Sequence, residues 1–314
     1  MSNIPVPDRA LAFPEGQHSD RRRQVILTEV GLAAMVLIWG INFVVVKRAL
    51  EVFDPLGFNA LRHLLAAAFM IAVLVARDGI GRPARGDVWR VVVLGIVGNF
   101  IYQMAFIVGL ERTTAGNASL MLATVPIFLL IFGRKQNGGG PRAHPLLGVA
   151  LSIGGVALVS GSSLGIEGLD TLTGDALLLG AAAVWAIYTV GAQPLIDRYG
   201  PIRTTAWTLL VGSLGLFLAG LPSLAQQNWS LVTVEAWGGV LFSSLLSVGV
   251  AYLLWYRGVQ QLGGARTALF SNLTPVVALA AGAVWLGESL TRYSIVGAAL
   301  VIGGLLLVRT GPKR

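Results

Sequence analysis

Arg62 carries the most demanding chemistry in this chain, because it stands seven residues after Pro55 in a stretch that is otherwise apolar. At 1.5 Å per residue the guanidinium lies about 10 Å into a helix that starts at the proline. A charge at that depth in a bilayer costs roughly 2.5 to 3.5 kcal/mol on insertion scales. Something must offset it. One solution is a cavity in which the cation meets a carboxylate or phosphate of a solute, or a gating partner. The other is an arginine that snorkels to the interface or caps carbonyls. His63 follows directly and points about 100° away around the same helix, which leaves it as a proton carrier or as a packed neighbour.

Aromatic and amide side chains form the second set. Trp39 and Asn42 are three residues apart, and Trp185 and Tyr188 repeat that spacing. Asn99, Tyr102, Gln103 and Phe106 make a stripe at intervals of three and four, and Tyr252, Trp255 and Tyr256 offer a fourth group. Residues so spaced share one helix face, and polar groups inside a membrane turn toward a bundle interior or a cavity. The candidates for a substrate cavity are therefore Trp39, Asn42, Arg62, Asn99, Tyr102, Gln103, Trp185, Tyr188, Tyr252 and Trp255. Aromatic walls with a few amides and one cation suit a zwitterionic or partly apolar solute, whereas a polyphosphate would demand several cations. Trp and Tyr also form belts at the membrane surface, the reading adopted for Trp229 and Trp237.

The acidic residues Glu29, Glu51, Asp54, Glu111, Asp175, Asp197, Glu235 and Glu288 fall near expected helix ends. Ion coupling commonly uses an ionisable group within the membrane. The expectation is facilitated diffusion, with proton exchange through Glu111 or His63 as the alternative. There is no Walker A pattern, no HExxH and no Ser/His/Asp set on one membrane face, and the chain has no cysteine. No enzyme activity, cofactor or metal site is expected.

Elements able to hold these residues follow from composition. Of 314 residues 55% are hydrophobic and 12% charged, against about 25% charged in a soluble domain, and the mean hydropathy is +0.74. At about 20 apolar residues per crossing this supplies about eight to ten spans. Spans are expected near 26–47, 56–76, 88–110, 114–133, 144–162, 174–196, 202–221, 236–257, 264–287 and 293–309. The net charge of +8 resides in termini and short loops, which points to membrane orientation rather than nucleic acid. With the amino terminus inside, inner segments collect eighteen Lys and Arg against Lys47, Arg48, Arg112 and Arg292 outside. Both termini are expected in the cytoplasm.

A repeat runs through the chain. A shift of 149 residues lays Gly109 on Gly258, Leu120 on Leu269, Pro126 on Pro275 and Gly148 on Gly297, and a shift of 146 pairs Trp39 with Trp185 and Pro55 with Pro201. Five helices per copy is an odd number, so the second copy enters the membrane upside down. The expected fold class is an all-α membrane protein of ten transmembrane helices in two inverted-topology repeats, a plan that lets a site at the seam open to either side in turn. Expected boundaries are a cytoplasmic tail 1–25, a first repeat 26–162, a linker 163–171, a second repeat 172–309 and a tail 310–314. Gly148, Gly155, Gly297 and Gly304 lack any strand-turn-helix context for phosphate and are read as helix-packing glycines, on helices that meet others away from the pore. Pro126 and Pro275 each remove an intrahelical bond and are read as paired kinks or hinges.

The WG-x-NF-x4-K opening (Trp39, Gly40, Asn42, Phe43, Lys47), the Pro55 to Arg62 stretch, Pro126 and Pro275, and the LGE-x-LT segment (Leu286, Gly287, Glu288, Leu290, Thr291) stand in a fixed order over residues 26 to 309. In these the chain resembles the EamA family of the drug/metabolite transporter superfamily. That resemblance implies a ten-helix carrier of the inner (plasma) membrane that exports or exchanges small metabolites, often amino acids including large neutral or aromatic ones. In other branches the cargo is a drug, a sugar phosphate or a nucleotide sugar. The expected partners are a small-molecule substrate and the lipid bilayer, with no nucleic acid and a monomeric state. A membrane enzyme acting on lipid-linked substrates is the reading from a different class. One departure stands out: Arg134, Lys135, Gln136 and Asn137 fall opposite Ala283, Val284, Trp285 and Leu286, and Gly139 opposite Glu288. The polar stretch Arg134 to Gly140 reads as a wet vestibule or as a local alteration.

Overall fold

The computed structural model describes residues 15–132, 143–163, 168–262, 267 and 270–309. Among the described residues the chain is helical throughout: α1 (Glu15–Ala49), α2 (Pro55–Asp78), α3 (Arg85–Arg112), α4a (Ala115–Leu122), α4b (Val125–Phe132), α5 (Ala143–Ser163), α6 (Gly168–Tyr199), α7 (Pro201–Gln226), α8 (Val234–Leu262), α9 (Thr274–Trp285) and α10 (Arg292–Arg309). Six of these, α1, α2, α3, α6, α7 and α8, are long and apolar enough to cross a bilayer, and the others are shorter apolar pieces. A helix is the only open structure that satisfies its own backbone in lipid. The outer faces are correspondingly apolar, with Leu37, Leu218 and Val284 exposed.

Helix starts follow local chemistry. Asp54 accepts from the Leu56 and Gly57 amides at 2.9 and 3.3 Å and Pro55 occupies the first turn, so α2 begins with its orphan donors satisfied. Thr114 caps α4a through the Asn117 amide and Thr233 caps α8 through Ala236. Two spans extend beyond their expected limits. α1 starts at Glu15 instead of 26 and α6 at Gly168 instead of 174; in α1 the Glu, Gln and Arg residues ahead of the apolar run are good helix formers that continue the ladder beyond it.

The prolines act differently from in-helix kinks. The chain leaves the helix at Ala123–Thr124 and again at Asn272–Leu273, equivalent positions of the two repeats. Pro126 and Pro275 then sit in the first turn of the restarted helices α4b and α9. There a missing N–H costs nothing, so the proline starts a half-helix instead of bending a whole one. A second irregularity was not legible in the sequence: a π-helical stretch over Ile96–Ile101 in α3 and another over Phe242–Val250 in α8, again at equivalent places. Such wider turns concentrate at functional sites.

Helices α5 and α10 pack chiefly against each other. A Cβ on Gly155 would stand 2.7 Å from the Gly297 carbonyl, and one on Gly297 would stand 2.9 Å from that of Gly155. Gly304 lies as tightly over Gly148 and Ser152, and the Ser152 hydroxyl donates to the Val301 carbonyl at 3.3 Å. Where lipid removes the hydrophobic drive for association, such close backbone approach supplies the contact.

The two ends of the bundle are packed differently. The end that holds the α1–α2 and α3–α4a connections is poor in Lys and Arg; the other, with Arg77, Arg82, Arg85, Arg90, Arg198 and Arg203, is basic. At the sparse end one apolar cluster, including Phe43, Val46, Phe58, Phe106, Leu120, Leu178, Val240 and Ala278, joins nearly every helix. Toward the basic end the core splits into three smaller clusters: α2 with α7 and α8 around Met70, α3 with α6 and α7 around Leu195, and α1 with α8 around Met35. The stretch from Arg134 to Gly140 lies outside the described residues.

Candidate substrate cavity

Between the split clusters four helices present aromatic rings to one another. Trp39 of α1 meets Tyr252 edge-on at 6.2 Å and Trp255 at 5.9 Å, both from α8. Trp185 of α6 lies 4.9 Å from Tyr102 of α3, 5.1 Å from Tyr188 and 6.4 Å from Tyr252. Trp39, Tyr102, Trp185, Tyr252, Trp255 and Tyr256 are all half-buried, although each turns inward to the others. The rings stand at the seam of α1, α3, α6 and α8, two helices from each repeat. Trp39 Nε1 donates to the Ser247 carbonyl at 3.0 Å, within the π-helical stretch of α8.

The other π-helical stretch does matching work. A Cβ on Gly98 would collide with the Tyr188 ring, so only a glycine lets that ring lie on the α3 backbone. The Tyr188 hydroxyl then reaches Thr208 Oγ1 at 3.1 Å, and Thr205 bonds the Tyr256 hydroxyl, which fixes both phenols on α7. These threonines were not singled out from the sequence. Their signal was polar residues one turn apart, Thr204, Thr205 and Thr208, on an otherwise apolar helix.

Arg62 stands on the sparse-end side of the aromatic cluster. It is 2% exposed, so it does not snorkel. Its Nη1 donates to Ser243 Oγ at 3.0 Å, and its Nη2 to Asn59 Oδ1 at 2.9 Å and Gln103 Oε1 at 2.7 Å. Asn59 in turn donates to the Gln103 carbonyl at 3.1 Å. The guanidinium stands 5.3 Å from the Phe106 ring and 5.7 Å from that of Phe58, within cation–π range. Phe106 stacks on Tyr102 at 6.2 Å, which links the cation to the aromatic walls. Among the described residues the hydrogen-bond acceptors of Arg62 are all neutral, and its Nε is buried without a partner. Hydrogen bonds to neutral oxygens lower the cost of burying this charge without cancelling it. Asn59 and Ser243 were absent from the sequence-derived set; the first lies one turn before Arg62, whereas only the tertiary fold brings the second across from α8.

The remaining candidates divide. Gln103 joins the Arg62 group, while Asn42 and Asn99, 6% and 2% exposed, each retain a buried amide atom without a partner. His63 is fully buried with Nδ1 3.0 Å from the Asn59 carbonyl. Pro126, Pro275 and the four packing glycines lie on other elements. Trp229 and Trp237 stack on each other at 6.1 Å, half exposed, at the sparse end. Among the described residues no cluster of His, Cys, Asp and Glu could hold a metal ion.

The profile of the EamA-like transporter family matches residues 27–161 and again 172–310, two copies that cover nearly the whole chain. The uncharacterized transporter YyaM of Bacillus subtilis is 30% identical over 270 residues, spanning 85% of this chain and 88% of that protein. A probable terminal-alkyne amino-acid exporter of Streptantibioticus cattleyicolor is 27% identical, over 88% of this chain and 91% of its own. One solved crystal structure superposes with a TM-score of 0.65 at 20% identity, covering 89% of this chain and 95% of the other, a likeness of fold alone.

Proposed function

We propose that this chain, which belongs to the EamA-like transporter family, carries a small carboxylate-bearing metabolite through the aromatic cavity by alternating access. Transport across a membrane, and not enzyme catalysis, is the work of the family and of its named relatives. The cargo class proposed is amino acids, large neutral and aromatic ones included. The observation that carries this reading is Arg62: one buried guanidinium, hydrogen-bonded to neutral groups, lies against Phe106, which stacks on Tyr102 of the aromatic walls. A single charge suits one carboxylate, and the electrostatic return for an arriving anion is large in a medium of low dielectric. Sugar phosphates and nucleotide sugars bring more charge than one cation balances. The relative named as an amino-acid exporter supports the same class.

Trp39, Asn42, Asn99, Tyr102, Gln103, Trp185, Tyr188, Tyr252 and Trp255 form the walls of this proposed site, with Pro126 and Pro275 as the joints of the half-helices that flank it. The basic end faces the cytoplasm of an inner (plasma) membrane on the positive-inside rule, and the protein works as a monomer by facilitated diffusion.

The test is counterflow in proteoliposomes with labelled phenylalanine. Unlabelled phenylalanine and leucine should compete, while phenylalaninamide, which lacks the carboxylate, should compete at least 10-fold less well, about 1.4 kcal/mol. Arg62→Gln should erase that difference. Equal competition by the amide in the wild-type protein would overturn the carboxylate assignment.

A further inference from the structure

At the sparse end, polar groups from both repeats converge on the short connection between α3 and α4a. Glu288 follows α9 in the second repeat, and its two carboxylate oxygens accept from the Ala115 amide at 2.6 Å and the Gly116 amide at 3.2 Å, the first turn of α4a in the first repeat. Thr113, two residues before Ala115, gives its carbonyl to Lys47 of α1 and its hydroxyl to Asp175 of α6 at 2.6 Å. Arg48 of α1 reaches back to the Trp285 carbonyl at 2.7 Å, where α9 ends. Four helices are tied together through one loop.

The local sequence is shaped for this. α9 stops at Trp285, and Gly287 takes a left-handed backbone, φ 67°, which a side chain would resist. That turn swings Glu288 back over its own helix, where its amide bonds the Gly282 carbonyl at 3.1 Å. A Cβ on Gly282 would stand 2.5 Å from the Glu288 carboxylate, so this glycine clears the path to α4a. A negative charge at a helix amino terminus is favoured both by the free amides and by the helix dipole. Glu288 is only half-buried, so water can receive the carboxylate when the contact opens.

The repeat makes the arrangement one-sided. Under the 149-residue shift the counterpart of Glu288 is Gly139, which has no carboxylate to offer; under the 146-residue shift the counterpart of Lys47 is Gln193. Gln193 is exposed and donates to Asp197 of its own helix at 2.7 Å instead of reaching another helix.

We infer that the Glu288 cap on α4a is a releasable latch that holds the cavity closed at the sparse end, and that glycine in place of this carboxylate at position 139 biases the carrier to load from the basic end. Opening the sparse end requires α4a to part from the α9–α10 turn, which breaks the two carboxylate bonds first. Loading from the cytoplasm, hence export, then rests on the orientation given under Proposed function, whereas the latch itself does not.

Because the chain has no cysteine, a single reporter thiol reads the gate directly and needs no substrate. Val46→Cys sits fully buried within the sparse-end cluster. In vesicles, a membrane-impermeant maleimide added at the sparse end should label Val46→Cys slowly in the otherwise unaltered chain. Labelling should be at least 5-fold faster when Glu288→Ala is added and intermediate with Glu288→Gln, which keeps an acceptor of the same shape but no charge. Detergent chromatography of the same samples shows whether each variant is folded; Glu288→Gln serves if Glu288→Ala is not. Unchanged labelling in folded Glu288→Gln and Glu288→Ala proteins would make the contact a static cap and overturn the proposal. Failure of the phenylalaninamide test leaves this result untouched, so the two readings fail separately.

Discussion

The sparse end and the basic end are built from the same five-helix plan turned over, yet they are closed by different means. At the sparse end Glu288, Lys47, Thr113 and Asp175 connect α1, α4a, α6 and the α9–α10 turn above a single apolar cluster. At the basic end Asp87 accepts from Arg198 at 2.8 Å, Arg90 at 3.3 Å and Tyr199 at 2.8 Å, which ties α3 to α6, and Arg203 donates to the Asp78 carbonyl at 3.2 Å, which ties α7 to α2. The deeper polar pair differs as well. The 146-residue shift lays Arg62 on Thr208, so a buried cation in one repeat is answered by a hydroxyl in the other. By contrast, the broken helices, the π-helical stretches and the α5–α10 glycine joint are shared by both halves. What the repeats hold in common is backbone form; what they do not share is charge, which in the proposals above sets the favoured mouth and the cargo.

The shared joint should be the least forgiving place. Gly304→Leu drives a side chain into Gly148 and Ser152; overpacking of this kind costs about 1 to 3 kcal/mol and more where backbone blocks relief. Loss of monodisperse protein in size-exclusion chromatography is the expected outcome, with Gly304→Ala intermediate. A well-behaved Gly304→Leu protein would mean that the joint is loose.

Next in size is the Arg62–Thr208 difference. Arg62→Met leaves the oxygens of Asn59, Gln103 and Ser243 without their donor, at about 1 to 3 kcal/mol each when buried. Counterflow should fall on the order of 100-fold or more. Thr208→Val, which removes the bond to Tyr188 and the hydroxyl's bonds to the Thr204 and Thr205 carbonyls of its own helix, should cost less than about 10-fold, since these are neutral hydrogen bonds of about 1 kcal/mol. Equal losses at the two positions would remove the asymmetry between repeats.

A milder change gives the sparse end the residue of its counterpart. Lys47→Gln should raise thiol labelling at Val46→Cys by about 2- to 3-fold, since a neutral amide still bonds the Thr113 carbonyl but with roughly half the strength of a charged donor. The smallest effect belongs to the basic end. Asp87→Asn disturbs contacts to arginines that are 48% and 60% exposed, and such pairs contribute about 0 to 1 kcal/mol. Thermal stability in detergent should move by a few degrees at most, and a large drop would show that the two ends are tied with comparable strength.

Much of this was visible in residue order. Apolar runs with Pro and Gly at their borders marked the spans, and the paired Trp39 and Trp185 marked faces that both turn to Tyr252. Helix periodicity is local, so a one-dimensional pattern reports it well. The rest depended on contacts between distant segments. Glu288 read as an acid near a helix end, and nothing in its neighbourhood tells that the end it serves belongs to Ala115, 173 residues away. Pro126 and Pro275 read as kinks because sequence shows the missing N–H and not whether the helix has already stopped. The π-helical turns left no periodic trace, since one added residue per turn barely shifts the apolar pattern.

By itself, then, the amino-acid order determined that this chain lives in a bilayer as two related halves, because hydropathy and repetition are properties of the string. It also singled out Arg62 as a charge in need of a reason. Only the folded arrangement decided that Arg62 is buried rather than snorkelling, that Ser243 from the other half helps to hold it, and that Glu288 of the second repeat caps the α4a helix of the first. Those facts are set by which side chains are brought within hydrogen-bonding distance, and in a bundle of long helices that is fixed by packing between segments far apart in the chain.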